Sequence, residues 1–534
     1  MVVKGTGSIV AAIAATLAIS GCSVIPSSRD SSDWSQTQSA APSATPSTFV
    51  QQLNSRAAGV AGTIEVTDDR ADRSFSPANL GISFEATDLA DPRLDPDASN
   101  LDDLLNSIGS PALRFGGNGL DRRTFWTSTG ERPPKAEQVA VTPDDLRRLK
   151  KLVDRTGSTV TIGIPLGTYD PERGADMAVN AIDILGDSLV GLAIGNEPNG
   201  YTVKDVPNGA VRGDDWNRAE YVTQLEAYAD AINAQRPDAP VIGPDAYDGA
   251  WMDAFLNSDV SNKTALSQHW YQLYECDSTQ IPGRGPFAEN LVDPLAKQAA
   301  KDNIEIGLAK ADAAGLPLWM EETGPTSCAG TNDTSLTNAV SLWAADYTLY
   351  AASLGVERMA MHSMLGACNG GAPMSLVCDP ADLGQTSNTF EGRPQFAALR
   401  LLVPSIGGTF TTTSVDGGDD MSAYTVSKDD GRTLVTTIIN ANDAAAISAN
   451  PVTLEVPDGY SVDKASQIYG PSNDAKSATS VIPSSPLPDD VPYSGLTPTT
   501  DPSDGTAEAG EGLDNDLRID LAASSATVFI MTKD

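Results

Sequence analysis

The feature that most constrains this chain is an eightfold alternation between a short apolar run closed by turn residues and a longer stretch with helical apolar spacing. The runs are Leu80–Phe84, Ala112–Phe115, Thr159–Ile164, Val190–Ile194, Val241–Ile242, Ala265–Gln268, Leu316–Met320 and Val356–Met361. Between them, Pro143–Thr156, Ala175–Leu185, Arg218–Ala234, Leu295–Ala313 and Leu336–Leu354 repeat apolar residues every three or four positions. Strand followed by helix is the pattern of parallel βα units, and eight such units close a (β/α)8 barrel. A doubly wound open sheet also alternates, but it commonly carries a Gly-rich phosphate loop, and neither GxGxxG nor GxxxxGK[ST] occurs here. The expected fold class is α/β, a TIM barrel over 78–402.

Beyond a helix at Phe396–Leu402 the pattern changes to alternating runs such as Ser422–Val426, Leu434–Ile438, Val452–Val456 and Thr527–Met531, divided by Gly, Asp and Asn. That pattern predicts an antiparallel β domain over 403–534, to which a strand at Thr63–Thr67, within 59–77, is expected to add. Its stretch Pro483–Asn515 reads as a long exposed loop.

The N-terminus carries Lys4 and then an apolar run from Ile9 to Ile19, too short to span a bilayer, so 1–21 reads as a signal peptide. Leu17-Ala18-Ile19-Ser20-Gly21-Cys22 resembles a bacterial lipobox, which makes Cys22 a lipidated anchor; an ordinary secretory leader is the alternative. Both place the mature chain outside the cytoplasm, and the lipid form fixes it to the bacterial cell membrane. Residues 22–58, poor in large apolar side chains, are expected to be a flexible tether. A net charge of −36 and a pI near 4.2 exclude nucleic acid as a partner, because phosphate neutralisation needs clustered Lys and Arg. Cys276, Cys328, Cys368 and Cys378 remain, an even number in an oxidising compartment, which favours two disulfides over a zinc site. Of the three connectivities, proximity favours Cys368 with Cys378, leaving Cys276 with Cys328 beside one another on the loops after strands six and seven.

Barrel chemistry sits at the C-terminal ends of strands. Those ends carry Arg114, Gly116, Gly117 and Asn118 after strand two, Asn196, Glu197 and Pro198 after strand four, His269 and Tyr271 after strand six, Glu321 and Glu322 after strand seven, and His362 after strand eight. The chain has two histidines, and both fall in this set; two are too few for a His-rich metal site, and no cofactor motif accompanies them. Glycoside cleavage requires two carboxyl groups, one to protonate the leaving oxygen and one to attack the anomeric carbon or activate water. Glu197 and a strand-seven glutamate suit these roles. Strand periodicity turns only one of Glu321 and Glu322 inward and does not choose between them.

Ile194-Gly-Asn-Glu-Pro-Asn-Gly-Tyr201 resembles the clan of retaining barrel glycosidases with an acid/base Glu in Asn-Glu-Pro after strand four. Leu113-Arg-Phe-Gly-Gly-Asn-Gly-Leu-Asp121 and Trp319-Met-Glu-Glu-Thr323 are similar to glycoside hydrolase family 79, the heparanase and β-glucuronidase family. The resemblance implies a retaining mechanism with Glu197 as acid/base and Glu322, rather than Glu321, as nucleophile. It also implies a C-terminal β-sandwich joined by an N-terminal strand. It assigns Asn196 to the sugar 2-hydroxyl, Tyr271 to a hydrogen bond with the nucleophile, and His269 to the same wall, and its substrate is a carbohydrate. Uronate-binding members carry a Tyr followed by glycines shortly after the nucleophile, where this chain has Gly324-Pro325-Thr326-Ser327-Cys328. Arg122 and Arg123 are candidates for a replacement carboxylate clamp, or are solvated surface charges. A neutral-sugar β-glycosidase and a non-catalytic glycan-binding lipoprotein are the competing readings.

Overall fold

The computed structural model describes residues 51, 53–204, 209–274, 284–327, 330–369, 371–476 and 516–533, with two-residue strand fragments at 47–48, 493–494 and 508–509. The apolar leader, Cys22, Cys276, Cys328 and, apart from the fragments, the Pro483–Asn515 loop lie outside the described residues.

Eight parallel strands close into a barrel: β1 Gly81–Glu85, β2 Leu113–Gly116, β3 Val160–Ile164, β4 Leu189–Ile194, β5 Val241–Ala246, β6 Lys263–Leu273, β7 Leu318–Thr326 and β8 Val356–Ser363. Neighbours follow in sequence, and β8 closes on β1 with Met361 beside Ile82. The apolar runs mark the strand starts well and the ends of β5 to β8 poorly. Those ends continue through Asp245, His269, Tyr271, Glu321, Glu322 and His362; His269, Tyr271, Glu322 and His362 keep ladder partners, and Asp245 and Glu321 are the unpaired residues of register shifts.

In β4, Ala193 packs inside with Ile242 and Ala265, while Leu192 and Ile194 join the outer core beneath the helices, as strand alternation requires. The helix Pro143–Thr156 starts on reciprocal Thr142 and Asp145 capping, with Pro143 in its first turn, and stops at Gly157, whose φ of 71° favours glycine. Its Leu146, Leu149, Leu152 and Val153 are buried against the barrel.

The second domain is a nine-stranded, mostly antiparallel sheet. Its strands include β9 Gly408–Gly417, β10 Met421–Lys428, β11 Thr433–Asn440, β12 Ala449–Glu455, β13 Tyr460–Tyr469, β14 Leu517–Ala522 and β15 Ser525–Lys533. An N-terminal strand, Gly62–Phe75, joins its two halves, antiparallel to β9 and parallel to β12. Alternation in β11 separates the faces. Leu434 and Ile438 pack with Ile64, Val452, Ile519, Phe529 and Met531 in the sandwich core, and Val435 and Ile439 join the barrel's core. The tether expected through residue 58 is tied to this sheet from Gln51 onward. Gln51 donates to the Asp520 carbonyl at 3.0 Å, Asn54 to the Ala444 carbonyl at 2.9 Å, and the Gly59 N–H to the Ala449 carbonyl at 2.7 Å. These hydrogen bonds satisfy backbone carbonyls of the β domain, which composition alone does not register.

Cys368 and Cys378 form a disulfide across a sequence separation of 10 in the segment after β8. Replacing both with Ser is expected to lower unfolding stability by about 2–3 kcal/mol through the freed loop. A urea-unfolding midpoint equal to that of the parent chain would contradict this.

Candidate active site

The site is built around one buried guanidinium. Arg114 on β2 is 1% exposed, and all of an arginine's N–H donors are engaged here. Nε donates to Asp245 Oδ2 at 3.2 Å, Nη1 to Ser83 Oγ at 2.8 Å and Glu322 Oε2 at 2.7 Å, and Nη2 to Asn196 Oδ1 at 2.6 Å and Asp245 Oδ2 at 2.7 Å. Arg114, one of the candidates at the end of strand two, positions the carboxylates. Gly116 gives it room, because a Cβ there would lie 2.4 Å from Arg114 Cζ.

Glu322 on β7 accepts from Arg114 on one oxygen and from the Tyr271 hydroxyl on the other, at 2.7 Å. Gly324 stands where it does because a Cβ would meet the Tyr271 ring at 2.8 Å. Glu321 is also buried, at a different level of the barrel, against periodicity's demand that one of the pair face out. Met320 pairs with Gln268 and Glu322 with His269, so Glu321 is the extra residue of a bulge. It accepts from Arg358 Nε at 2.8 Å and from the Thr161 hydroxyl, and so belongs to the barrel's internal packing.

Glu197 is turned into the mouth by the turn after β4 rather than by the pleat. Gly195 and Glu197 have φ of 84° and 49°, and the Glu197 N–H donates to the Asp245 carbonyl at 2.8 Å, holding this left-handed conformation. Asn196 donates its N–H to Asp121 Oδ2 at 2.8 Å. Glu197 Oε1 lies 3.0 Å from His269 Nδ1, and its side chain is 26% exposed against 7% for Glu322. One ligand atom from each of Glu197, His269 and Glu322 lies within 4.8 Å of the others. His362 sits behind Glu322, with Nδ1 3.9 Å from Glu322 Oε1 and Nε2 3.7 Å from Glu85 Oε1.

The remaining candidates lie on the short helix after β2. Asn118 is half-buried and its carbonyl accepts from Arg122, which also donates to the Gly209 carbonyl at 3.0 Å; Arg123 is half-buried. Three site residues escape the sequence reading. Asp245 follows Gly243-Pro244 on β5, Glu85 ends β1, and Asp121 fastens the Leu166, Gly167 and Asn196 amides. Asp245 and Glu85 carry the same signal as the residues that were found, a polar side chain at a strand's C-terminal end.

Burial, which favours neutral carboxyls, is overridden at the centre. Burial pushes Glu322 up, but His362, His269, Arg114 and the Tyr271 hydrogen bond hold it down at about 2. Asp245 is lowered in the same way, burial being outweighed by Arg114 and His269. Burial lowers the His269 imidazole, but Glu322, Asp245 and Glu197 carry it up to about 9. Further from Arg114 burial wins, and Glu85 and Asp88 are both raised to about 7. Glu197, His269 and Glu322 have the spacing of a metal ligand set, and the same groups are hydrogen-bonded to one another and to Arg114 and Tyr271. The site suits acid, base and nucleophile chemistry on a neutral-to-cationic centre.

No family model matches the sequence. A β-glucuronidase of Neurospora crassa is 27% identical over 198 residues, 33% of this chain and 34% of that protein, so the match spans about a third of each. Among solved structures, a 4-O-α-L-rhamnosyl-β-D-glucuronidase from Fusarium oxysporum superposes with a TM-score of 0.64 at 15% identity, over 88% of this chain and 99% of that one. The fold is shared with glycoside hydrolases. A family 51 arabinofuranosidase from Xanthomonas axonopodis pv. citri superposes with a TM-score of 0.60 at 15% identity, over 89% and 99%.

Two measurements test the site. Glu321→Gln is expected to destabilise the fold by about 3–5 kcal/mol, because it leaves Arg358 buried and unpaired, whereas Glu322→Gln should abolish turnover at far smaller cost in stability. The reverse outcome would exchange their roles. Between about pH 4 and 7 for Glu85 and Asp88, and between 6.5 and about 9 for His269, the folded chain binds more protons than the unfolded one, so stability falls as pH rises. Below about pH 4 protonation of Glu322 and Asp245 removes their contribution. The melting temperature is therefore expected to peak near about pH 4 and to drop by several degrees toward about pH 9. A rise across that range would refute this charge arrangement.

Proposed function

We propose that this protein is a retaining glycoside hydrolase, β-glucuronidase-like in the manner of family 79, with Glu197 as acid/base and Glu322 as nucleophile. The observation that carries the reading is the approach of the two carboxylates, whose ligand atoms lie within 4.8 Å. Retaining enzymes hold their carboxyl groups about 5–5.5 Å apart, and inverting ones leave room for a water at about 6.5–9.5 Å. Glu322, ionised and oriented by Arg114 and Tyr271, attacks the anomeric carbon while Glu197 protonates the departing oxygen, and the glycosidic C–O bond breaks as the glycosyl ester forms. Glu197 then takes a proton from water, whose oxygen attacks the same carbon and frees Glu322. Glu322 keeps lone pairs for attack because each oxygen accepts one hydrogen bond. The exposure of Glu197 suits a group that must exchange protons with leaving group and water.

A neutral-sugar glycosidase is the second reading, favoured by the engagement of Arg114 with Ser83, Asn196, Asp245 and Glu322 and of Arg122 with backbone carbonyls. Gly324, Pro325 and Thr326 continue β7 as a buried strand in place of the uronate-binding turn. A non-catalytic glycan binder has no need of a carboxylate pair held in this register. The site of action is proposed to be outside the cytoplasm, with Cys22 as the lipid anchor.

The test is hydrolysis of aryl β-glycosides, glucuronide included, by the chain beginning after Cys22. Cleavage abolished by Glu322→Gln is expected. With Glu197→Ala, a loss of about 10²–10⁴ is expected for poor leaving groups and a much smaller one for dinitrophenyl, which departs without a proton. Equal losses for both leaving groups would remove Glu197 from the acid role, and cleavage of neutral glycosides alone would discard the uronate.

A further inference from the structure

We propose that Tyr247 and Tyr274 form an aromatic platform beside Glu197 on which a ring of the departing group stacks, so that the substrate is a glycoside whose leaving group itself carries a ring. The inference rests on the hydrolase reading and names its leaving-group subsite. Tyr247 is 50% exposed and Tyr274 38% exposed, whereas most aromatic side chains of the barrel are buried. They follow directly on the C-terminal ends of adjacent strands, Tyr247 after Ala246 of β5 and Tyr274 after Leu273 of β6. The backbone of Glu197 is fastened to the Asp245 carbonyl, two residues before Tyr247. Partial burial and the nearby charges of Glu197 and Tyr274 raise the Tyr247 hydroxyl to about 12, in keeping with this proximity.

The base of Tyr274 is fixed. Its N–H donates to the Arg284 carbonyl at 2.8 Å, and the Arg284 guanidinium lies 4.0 Å from the Trp270 ring centroid while donating to the Tyr271 and Gln272 carbonyls. Of the two carboxylates Glu197 is the open one, so the protonated leaving group departs past it and over these rings. A flat ring face, from a sugar or an aryl group, covers apolar ring surface otherwise left in water.

The test compares kcat/KM for methyl, 4-nitrophenyl and disaccharide glycosides of one glycone in the parent chain, Tyr247→Ala, Tyr274→Ala and Tyr247→Phe. The alanine variants are expected to lower the ring-to-methyl ratio by about tenfold, and Tyr247→Phe, which keeps the ring, should restore it. A drop confined to the disaccharide identifies a glycan chain as substrate; one confined to the nitrophenyl glycoside identifies an aryl aglycone. Cleavage with unchanged ratios overturns the platform while leaving the hydrolase standing. Absence of any cleavage by the parent chain removes the hydrolase reading and the platform with it.

Discussion

The two ionised carboxylates deepest in the barrel mouth, Asp245 and Glu322, depend on the Arg114 guanidinium. Asp245 and Glu322 are buried carboxylates whose desolvation would neutralise them if they stood alone, and Arg114 bonds to both. The same cation fixes the Asn196 side chain next to the acid/base candidate. Removing Arg114 would leave two buried carboxylates without their cation, whereas losing the charge of Glu322 alone leaves Arg114 still paired with Asp245. Gly116 at the end of β2 follows from Arg114, since a Cβ there would strike its guanidinium, while Gly117 and Gly119 make room for Glu85.

The barrel interior separates structure from chemistry by level. One level holds Glu321, Arg358 and Thr161 in a closed ion-pair and hydrogen-bond set. Another holds Glu322, Arg114, Tyr271 and His362, and it opens toward Glu197. The bulge in β7 makes two adjacent glutamates serve both levels. Glu322 is carried on a strand, and the turn that carries Glu197 is fastened to β5 through the Asp245 carbonyl, which together fix the separation of the two carboxylates.

Barrel order, the helices and the sandwich were legible because apolar spacing records which face of each element is buried. Glu197, Glu322, His269 and Tyr271 were legible because polar side chains at strand ends have no packing reason to be there. Asp245 and Glu85 escaped because the apolar runs of β5 and β1 were closed one to three residues too early. Arg114 was legible as a cation at a strand end, but its hold on Asp245, Asn196 and Glu322 was not, because those partners come from other parts of the chain. The choice between Glu321 and Glu322 lay beyond periodicity because a bulge breaks the two-residue repeat, and only the resemblance to family 79 pointed to Glu322. Gln51 and Asn54 looked like tether because two side-chain hydrogen bonds to backbone carbonyls of the β domain leave no trace in composition.

The most direct measurement is to trap the reaction with a 2-deoxy-2-fluoro glycoside of a sugar the chain cleaves and to locate the label by peptide mass spectrometry. A retaining double displacement through this site predicts a single glycosyl adduct on Glu322, released on adding an acceptor and absent in Glu322→Gln. A label on Glu321 or Glu197, or continued turnover with no covalent adduct, would contradict the account.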